Sequence, residues 1–436
     1  MSGAAPAPAG RGRYFADSTP LRKDAGFRAQ WLGQLGSAVG RESAKYAFPI
    51  NIYLVTGSLA SLGLVAILQL AVTVVVSLVS GTLSDLYDRR VILVVALGIM
   101  AVGSAGLLVL SLTPDAPLWL IIIFGVIVTT FFTVEQPARI SAVPRLVPPE
   151  RLPAAIALTS LNFQAMAVLG PALGALMFGL AGLAGAYAFQ TVAYLWATVA
   201  SLRMPSLPAA GTAGGRSPLR LLAESIDFVR YRRVILSCFA VDLTAMIFAL
   251  PMGSVLPVLL IEVYGITPEA AGILLSARGA GAVAAAVFSG WTRSIQRIGR
   301  ALLLVVLLYA VVTVLLGLST AAFLVALPLL AIAGGADVSS AILRNTIIQT
   351  STPDDLRGRV TALHVLSSAG GPRVGDIRAA FMAEFVGPTG ALILGGLIAI
   401  AGVGAVAKVF PELPVYRLRR APASSPDDDV TTAATA

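Results

Sequence analysis

The chain carries little charge for its length. Of its 436 residues, 12% are Asp, Glu, Lys or Arg, whereas 57% are hydrophobic. A soluble domain carries about 25% charged residues, so this composition is typical of a membrane protein. The net charge of +9 therefore says little about nucleic-acid binding, and the distribution of the basic residues along the chain reports how it crosses the bilayer.

Cysteine and histidine occur once each, as Cys238 and His364. A single cysteine excludes a disulfide within the chain and a metal cluster held by cysteines. A single histidine argues against a histidine metal site and a catalytic triad, and we expect His364 to be a packed or hydrogen-bonded residue. The sequence has no Walker phosphate loop and no cofactor motif. We therefore expect no cofactor, no metal and no enzymatic activity.

Long apolar runs are what the chain has in abundance. A run of about 20 apolar residues is long enough to cross a bilayer as a helix. Runs bounded by Gly, Pro and charge predict twelve such spans. Their approximate bounds are 28–54, 58–80, 91–112, 117–137, 153–180, 184–203, 234–262, 269–290, 301–319, 321–343, 360–386 and 388–410. The predicted fold is an all-α integral membrane protein with twelve transmembrane helices in two six-helix bundles.

Polar stretches divide this predicted fold into five parts. The first 26 residues contain no apolar run, so we interpret them as a cytoplasmic tail and not as a signal peptide. The last stretch combines an acidic run with small residues, which favours disorder. The predicted parts are an N-terminal tail (1–27), an N-terminal bundle (28–203), a cytoplasmic linker (204–233), a C-terminal bundle (234–410) and a C-terminal tail (411–436).

The positions of the basic residues predict which loops lie on the cytoplasmic side of the membrane. With both termini in the cytoplasm, 26 of the 31 lysines and arginines fall in cytoplasmic segments or at the cytoplasmic ends of spans, and the other five lie well within spans. The predicted outer loops at 56–61, 111–117 and 264–269 contain none. Because short basic loops stay on the cytoplasmic side, we expect a multi-pass protein of the inner (plasma) membrane with both termini inside.

The two halves of the chain also repeat one another. PERL at 149–152 followed by AAIAL at 154–158 resembles PDDL at 353–356 followed by VTAL at 360–363. A basic hairpin at 81–90 has a counterpart at 290–300 that lacks the acid. Transporters built from two repeats place their site near the midplane between the halves, and this predicts where a substrate would bind.

The hairpin itself reads GTLSDLYDRR and joins the second and third spans. Gly81 permits close helix approach, Asp85 is an acid at a helix end, and Arg89 and Arg90 hold the loop in the cytoplasm. We predict a gate or latch here, in which Asp85 pairs with Arg139 when the outer side is open. The alternative is a basic loop that only orients the chain.

Charges within predicted spans mark candidate pathways, because they are expensive in the bilayer. Arg41, Glu42 and Lys45 share one face of the first helix, which predicts a cavity wall or an interface. The alternative is a local structural ion pair.

The second half also carries acids and arginines inside its spans. A buried carboxylate can exchange a proton for a change of partner, so Asp242 is our first candidate for proton coupling. The other coupling candidates are Glu42, Asp337 and Asp376. The candidates for the substrate cavity are Arg278, Arg373, Arg41 and Lys45. The alternative for each acid is a fixed interhelical pair with an arginine.

Two further groups complete the predicted machinery. Glu135, Arg139 and Arg344 are predicted at inner helix ends, as gate residues or as simple cytoplasmic anchors. Proline removes a backbone donor and bends a helix, whereas glycine allows close packing. The predicted helix-bending residues are Gly170, Pro171, Gly174 and Pro372. A plain kink that packs on a neighbour is the alternative.

These motifs together resemble a known family. The hairpin resembles the loop between helices 2 and 3 of the major facilitator superfamily, and Gly170 to Gly174 resemble its antiporter motif in helix 5. From about Tyr14 to Tyr416 the chain resembles the enterobactin-exporter branch of that superfamily, in its actinobacterial form. The specific matches are FADSTPL at 15–21, EQPAR at 135–139, VDL at 241–243 with AM at 245–246, DDLRGR at 354–359, and GGPR at 370–373 with GD at 375–376.

The resemblance implies a secondary transporter that exports a siderophore or related small molecule by alternating access, driven by protons. It implies the lipid bilayer, protons and an anionic siderophore-like substrate as partners, and we expect a monomer. Two features depart from the pattern: Asp88 stands where the superfamily loop usually has glycine, and the Arg41–Glu42–Lys45 cluster is absent from it. The alternatives are a broad-specificity multidrug exporter and a non-transporting receptor or scaffold.

Overall fold

The computed structural model describes residues 17–209, 227, 229–251, 253, 255–288, 290, 295–320 and 323–417. Most of both predicted tails and of the linker, and part of the second basic hairpin, lie outside these residues. At some described positions only the backbone is described, and these include Gly81, Asp85 and Pro171. All regular structure in the described residues is helical.

Thirteen helices and one short 3-10 turn, Pro149–Arg151, make up this part of the chain. Their order is α1 (Thr19–Lys23), α2 (Ala25–Thr56), α3 (Leu59–Leu86), α4 (Arg89–Ser111), α5 (Leu118–Leu146), α6 (Leu152–Leu202), α7 (Arg233–Phe248), α8 (Leu256–Tyr264), α9 (Pro268–Val287), α10 (Ile298–Leu318), α11 (Phe323–Ser351), α12 (Asp354–Val409) and α13 (Glu412–Val415).

Two of these helices each contain two predicted spans. The backbone of α6 leaves helical geometry at Ala181 and Gly182, and α12 leaves it at Gly387. Gly182 has φ 61° and Gly387 has φ 79°, values that glycine adopts without a steric penalty. Each break lies where two predicted spans meet, so the described helices are consistent with the twelve-span prediction.

The seventh predicted span, 234–262, is not one helix. The structure divides it into α7, which ends at Phe248, and α8, which begins at Leu256. Pro251 explains the division, because proline cannot continue a helical hydrogen-bond ladder and disfavours helical geometry at the residue before it. Broken helices in transporters occur where backbone lines a cavity or is buried in protein.

Among the residues that the structure describes, eight helical stretches are long and apolar enough to cross a membrane. Many leucines and valines on their outer surfaces are exposed, as a lipid-facing surface requires; Leu64 and Val102 are examples. In the N-terminal bundle α2 packs along α6, and α4 packs on α5 and α6. In the C-terminal bundle α11 lies between α9 and α10, and α12 packs on α7 and α10. The bundles meet along α6 with α9 and along α3 with α12.

Several predicted boundaries are wrong in detail. Helices α5 and α11 extend well past their predicted ends, so Arg139 and Arg344 lie about two turns inside a helix and not at its end. Helices α1 and α2 begin within the predicted N-terminal tail. The start of the C-terminal tail is also ordered, because Leu413 in α13 is fully buried against the end of α10. Apolar side chains drive this docking.

Asp88 ties the start of the linker to the first basic hairpin. Its carboxylate caps α4 by accepting a hydrogen bond of 2.8 Å from the backbone of Arg90. It also accepts from the backbone of Leu207 and from the hydroxyl of Ser206. Partial burial raises the pKa of Asp88, but these hydrogen bonds outweigh burial and hold the pKa below its ordinary value.

The two ends of the bundles differ in charge. We call the end that carries Arg89, Arg90 and Arg203 the basic end, and the end that carries Gly57, Gly265 and Gly387 the far end. By the positive-inside rule the basic end is the predicted cytoplasmic side.

The membrane topology can be tested with reporter fusions. Tags at the N-terminus, within 211–216 and at the C-terminus should be cytoplasmic, and a tag after Thr113 should be external, because short basic segments resist translocation. Fusions to a reporter that is active on only one side of the membrane would measure this. An external C-terminal tag would make the number of spans odd and contradict the two-bundle fold.

Candidate functional site

A cavity of about 440 Å³ lies in the basic-end half of the N-terminal bundle, between α2, α5 and α6. Its volume is within the usual range for small-molecule sites. Its polar lining consists of Gln30, Gln34, Ser37, Arg41, Glu135, Gln136, Arg139, Thr159 and Ser160. The cavity therefore contains hydrogen-bonding groups and charge at a depth where lipid could supply neither.

The three charges of α2 form one cluster beside this cavity. Glu42 accepts from Arg41 Nε at 2.8 Å and from Lys45 Nζ at 3.0 Å. Arg41 also lies over the ring of Phe132, 5.2 Å from its centroid, which adds a cation–π contact. Glu42 is buried, whereas the Lys45 side chain is 48% exposed. The predicted cluster thus exists, with a buried acid between two cations, and Arg41 lines the cavity.

Glycines on α6 make room for this cluster. A Cβ atom at Gly170 would lie 2.2 Å from Cβ and 2.8 Å from Cγ of Glu42. A Cβ atom at Gly174 would lie 3.1 Å from the Cα of Ser43. Because real Cβ contacts are not this short, α6 can approach α2 only where its residues lack side chains. The Gly-Pro-x-x-Gly motif therefore positions Glu42 by allowing α2 and α6 to pack closely.

Gly170→Ala should displace Glu42 or push α6 away from α2. We expect this overpacking to destabilise the protein by about 1–3 kcal/mol and to lower transport. Thermal unfolding of the purified protein would measure the effect. The matched control is Gly98→Ala on α4, where an added Cβ has no neighbour within 4 Å. The control should be neutral or slightly stabilising, and a Gly170→Ala variant as stable as the control would contradict the packing role.

A second buried ion pair lies on α5. Arg139 donates through Nε to Glu135 Oε1, and its Nη1 donates to the carbonyl of Gln30 at 3.2 Å. Ser37 donates to the same carboxylate oxygen at 3.3 Å. Glu135 and Arg139 are both almost fully buried. These contacts join α5 to α2 across the cavity wall, so both residues belong to the cavity as well as to the predicted gate.

The C-terminal bundle holds another buried ion pair, whose arginine occupies nearly the same place in the repeat as Arg139. Asp242 on α7 and Arg344 on α11 are buried, and Oδ1 lies 2.6 Å from Nη1. This is an interhelical pair, whereas Glu135 and Arg139 share one helix. The sequence singled out both residues but did not predict that they contact each other.

Further charged residues lie between the Asp242–Arg344 pair and the N-terminal bundle. Asp337 on α11 pairs with Arg278 on α9 at 3.3 Å and also interacts electrostatically with Arg344. Arg278 in turn interacts with Glu42 of the other bundle. His364 on α12 lies within electrostatic reach of Arg344. The direct contacts in this region are the two ion pairs Asp242–Arg344 and Asp337–Arg278, which lie near one another on α7, α9 and α11.

The other two predicted residues on α12 have different surroundings. Asp376 is buried and accepts from the backbone of Gly253 at 3.2 Å, in the break between α7 and α8. Arg373 donates to the carbonyl of Gln69 at 2.7 Å and to the hydroxyl of Thr73, both on α3. Arg373 thus joins the two bundles in this conformation, and its place in the substrate cavity stays a prediction.

The breaks in α6 and α12 do not lie at the prolines that were predicted to bend these helices. Pro372 lies within α12, which stays helical around it, so the non-helical break of that helix is at Gly387. The side chain of Pro171 lies outside the described atoms, and α6 leaves helical geometry at Ala181 and Gly182. The strong breaks therefore occur between spans and not at the predicted prolines.

The basic hairpin is only partly described. Arg89 is buried and donates to Ser141 and to the carbonyl of Pro208, and Arg90 donates to the carbonyl of Leu202 at 2.6 Å. The side chain of Asp85 and the surroundings of Gly81 lie outside the described atoms. The predicted latch between Asp85 and Arg139 applies to a state open at the outer side, so it stays a prediction.

The far end is closed by contacts between the bundles. Tyr53 donates to Glu262 at 2.6 Å, and Tyr46 donates to the carbonyl of Pro268. Glu384 accepts from the hydroxyl of Ser58 and the backbone of Ala60, at 3.2 and 3.0 Å. The cross-bundle hydrogen bonds of the described residues cluster at this end and in the middle, whereas the cavity lies toward the basic end.

Sequence reasoning missed the neutral part of the cavity. Gln30 and Gln34 lie on the same face of α2 as Arg41, and both are buried. A spacing of four and then seven residues returns to one helix face, so the pattern was present in the sequence. The pattern did not stand out, because glutamine is uncharged and the candidate site residues were charged residues inside spans.

Two helical bundles, with a polar cavity in the first and buried ion pairs in both, define a transporter of the major facilitator type. The crystal structure of a bacterial homolog of the human lysosomal transporter Spinster, inward-facing and unoccupied, matches with a TM-score of 0.67 at 15% identity, over 93% of this chain and 100% of that one. A bacterial homologue of the iron transporter ferroportin, inward-facing, matches at 0.66 and 16% identity, over 89% and 98%. At such identities the likeness shows the fold alone.

Sequence comparison gives the family. Residues 16–430 match the sequence model of the transmembrane secretion effectors of the major facilitator superfamily, and the chain belongs to that family. The enterobactin exporter EntS of Salmonella paratyphi A is 27% identical over 366 residues, which cover 81% of this chain and 85% of the relative. The predicted all-α major facilitator fold and the resemblance to this branch are confirmed, and the described helices are consistent with twelve spans.

Proposed function

We propose that this chain is a proton-coupled exporter of a siderophore-like small molecule, working by alternating access in the plasma membrane. The observation that carries the proposal is a polar cavity toward the basic end, combined with a far end closed by contacts between the bundles. With the basic end in the cytoplasm, this is the state in which an exporter would take up its substrate.

The direction and substrate class draw support from the relatives. The family is described as secretion effectors, and the relative cited above is named an enterobactin exporter. The cavity fits an anionic substrate, because Arg41 lines it and Lys45, next to Arg41 and Glu42, is half-exposed. Arg41 and Lys45 share the single carboxylate of Glu42, so the cluster keeps one excess positive charge, which would attract an anion strongly at low dielectric.

Proton coupling is assigned to the Asp242–Arg344 pair. This pair requires the charged form of Asp242, so formation of the basic-end-open state releases a proton from this residue to the cytoplasm. When the far end opens, we propose that the pair separates and Asp242 takes a proton from outside. Arg344 then needs another carboxylate, and Asp337 on its own helix is within electrostatic range. One turn of the cycle would carry a proton inward while substrate moves outward.

The remaining features of the proposal follow from the same fold. We propose that both termini lie in the cytoplasm, because the basic loops lie at the same end of the bundles as the termini. The chain is proposed to act as a monomer, since the cavity is built from helices of one chain.

Asp242→Asn tests the coupling directly. In proteoliposomes with an acidic interior, the wild-type chain should accumulate an added catecholate siderophore against its gradient. The variant should bind the siderophore but should not accumulate it above the external concentration, because asparagine cannot exchange a proton. The matched control is Asp115→Asn, an exposed far-end residue with φ 53° that asparagine tolerates. The control should accumulate the siderophore as the wild type does.

Three other outcomes would each change a different part of the proposal. Uphill accumulation by Asp242→Asn would move the coupling role to Glu42, Asp337 or Asp376. Wild-type accumulation of unrelated lipophilic cations, and not of siderophores, would favour a multidrug exporter. Absence of any gradient-driven transport in the wild type would favour a receptor or scaffold.

A further inference from the structure

The cavity wall contains two glutamines whose amides are incompletely bonded. Gln30 is fully buried, and neither its Nε2 nor its Oε1 has a hydrogen-bond partner among the described residues. Gln34 donates through Nε2 to the carbonyl of Thr159 at 3.2 Å, and its Oε1 has no partner there either. Both residues line the cavity. The hydrogen bond to Thr159 fixes which end of the Gln34 amide remains free to accept.

Such groups are unusual in a folded protein. Most buried side-chain polar atoms have a partner, and an unsatisfied one costs about 1–3 kcal/mol. The next layer of the wall has the same property, because Glu135 Oε2 and Arg139 Nη2 are also without partners among the described residues. A cluster of free donors and acceptors around one cavity is the arrangement of a site that waits for polar atoms of a ligand or for water.

The spacing along α2 relates these amides to the charge cluster. Gln30, Gln34 and Arg41 lie four and seven residues apart, which keeps them on one face of the helix. With a rise of about 1.5 Å per residue, Gln34 and Arg41 are separated by roughly 10 Å along the axis. The face therefore presents neutral amides toward the basic end and cations deeper in the membrane.

We propose that Gln30 and Gln34 form a neutral subsite that determines substrate specificity. The subsite would bind a group with adjacent hydrogen-bond donors and acceptors, such as an amide, a hydroxamate or a pair of neighbouring hydroxyls. The anionic part of the same molecule would lie roughly 10 Å deeper, at Arg41 and Lys45. This inference rests on the proposed export function and adds to it the chemistry by which the substrate is selected.

Such a subsite discriminates by leaving its own polar groups unpaired when the wrong molecule binds. A site built to hydrogen-bond a hydroxyl or an amide rejects an analogue that lacks it, because buried polar atoms then lose both water and ligand. A catecholate siderophore should therefore bind more tightly than its O-methylated derivative, which lacks both the hydroxyl donors and their negative charge. The part of this difference that belongs to the subsite is the part that disappears when the glutamines are replaced.

The test compares these two probes on the full chain in lipid nanodiscs. We expect the wild type to bind the catecholate siderophore about tenfold or more tightly than the O-methylated derivative. Gln30→Met and Gln34→Met keep the side-chain length but remove the amide. Each should weaken binding of the siderophore about tenfold while changing binding of the derivative by less than about twofold. Retained binding of the derivative shows that the variants fold.

Gln190→Met is the matched control. Gln190 is a buried glutamine of the same bundle, but it does not line this cavity. The control should bind both probes as the wild type does. If Gln30→Met and Gln34→Met also bind the siderophore like the wild type, the amides hold only water and the subsite is wrong, although export stands. If the wild type binds no siderophore at all, the proposed function and the subsite both fail.

Discussion

Burying charge where lipid offers no compensation is the constraint on which this structure depends. A carboxylate or guanidinium inside a bundle must meet an opposite charge, a backbone dipole or a polar cavity. Here Glu42, Glu135, Asp242 and Asp337 each lie beside an arginine or lysine. Removal of one partner would leave an uncompensated buried charge, which is far more costly than the net worth of the pair. A charge in one of these pairs can therefore leave its partner only if it finds another partner or is neutralised by a proton.

The same constraint accounts for the glycines at the bundle contacts. Gly170 leaves space for Glu42, and Gly253 brings its backbone to Asp376, whose Oδ2 would lie 2.0 Å from an added Cβ. Gly395 does the same for Arg378, which donates to the carbonyls of Ile247 and Ala249. Each glycine lets a charged group approach backbone that a side chain would cover. In this chain glycine serves the placement of charge as well as helix bending.

Much of the fold was predictable because membrane helices are specified by length and apolarity, and their orientation by basic loops. The division into α7 and α8 was missed because Pro251 lies inside an apolar run that otherwise predicts one span. Asp242 was found as an expensive charge within a span and Arg344 as a residue at an inner helix end, but their contact depends on how α7 packs against α11. Gln30 and Gln34 were missed, since neutral amides in an apolar run stand out only when a cavity is known to face them.

The central claim is that protonation of Asp242 changes which end of the transporter is open. Its most direct test is the distance between spin labels at Thr113 and Val386, at the far ends of the two bundles, with buried Cys238 leaving labelling selective. Acidification should lengthen the distance between the two labels in the wild type. Protonation of Asp242 breaks its pair with Arg344, which disfavours the state open at the basic end and favours the state open at the far end. Asp242→Asn should show no such dependence on pH. A wild-type distance that ignores pH, or an equal shift in the variant, would contradict the account.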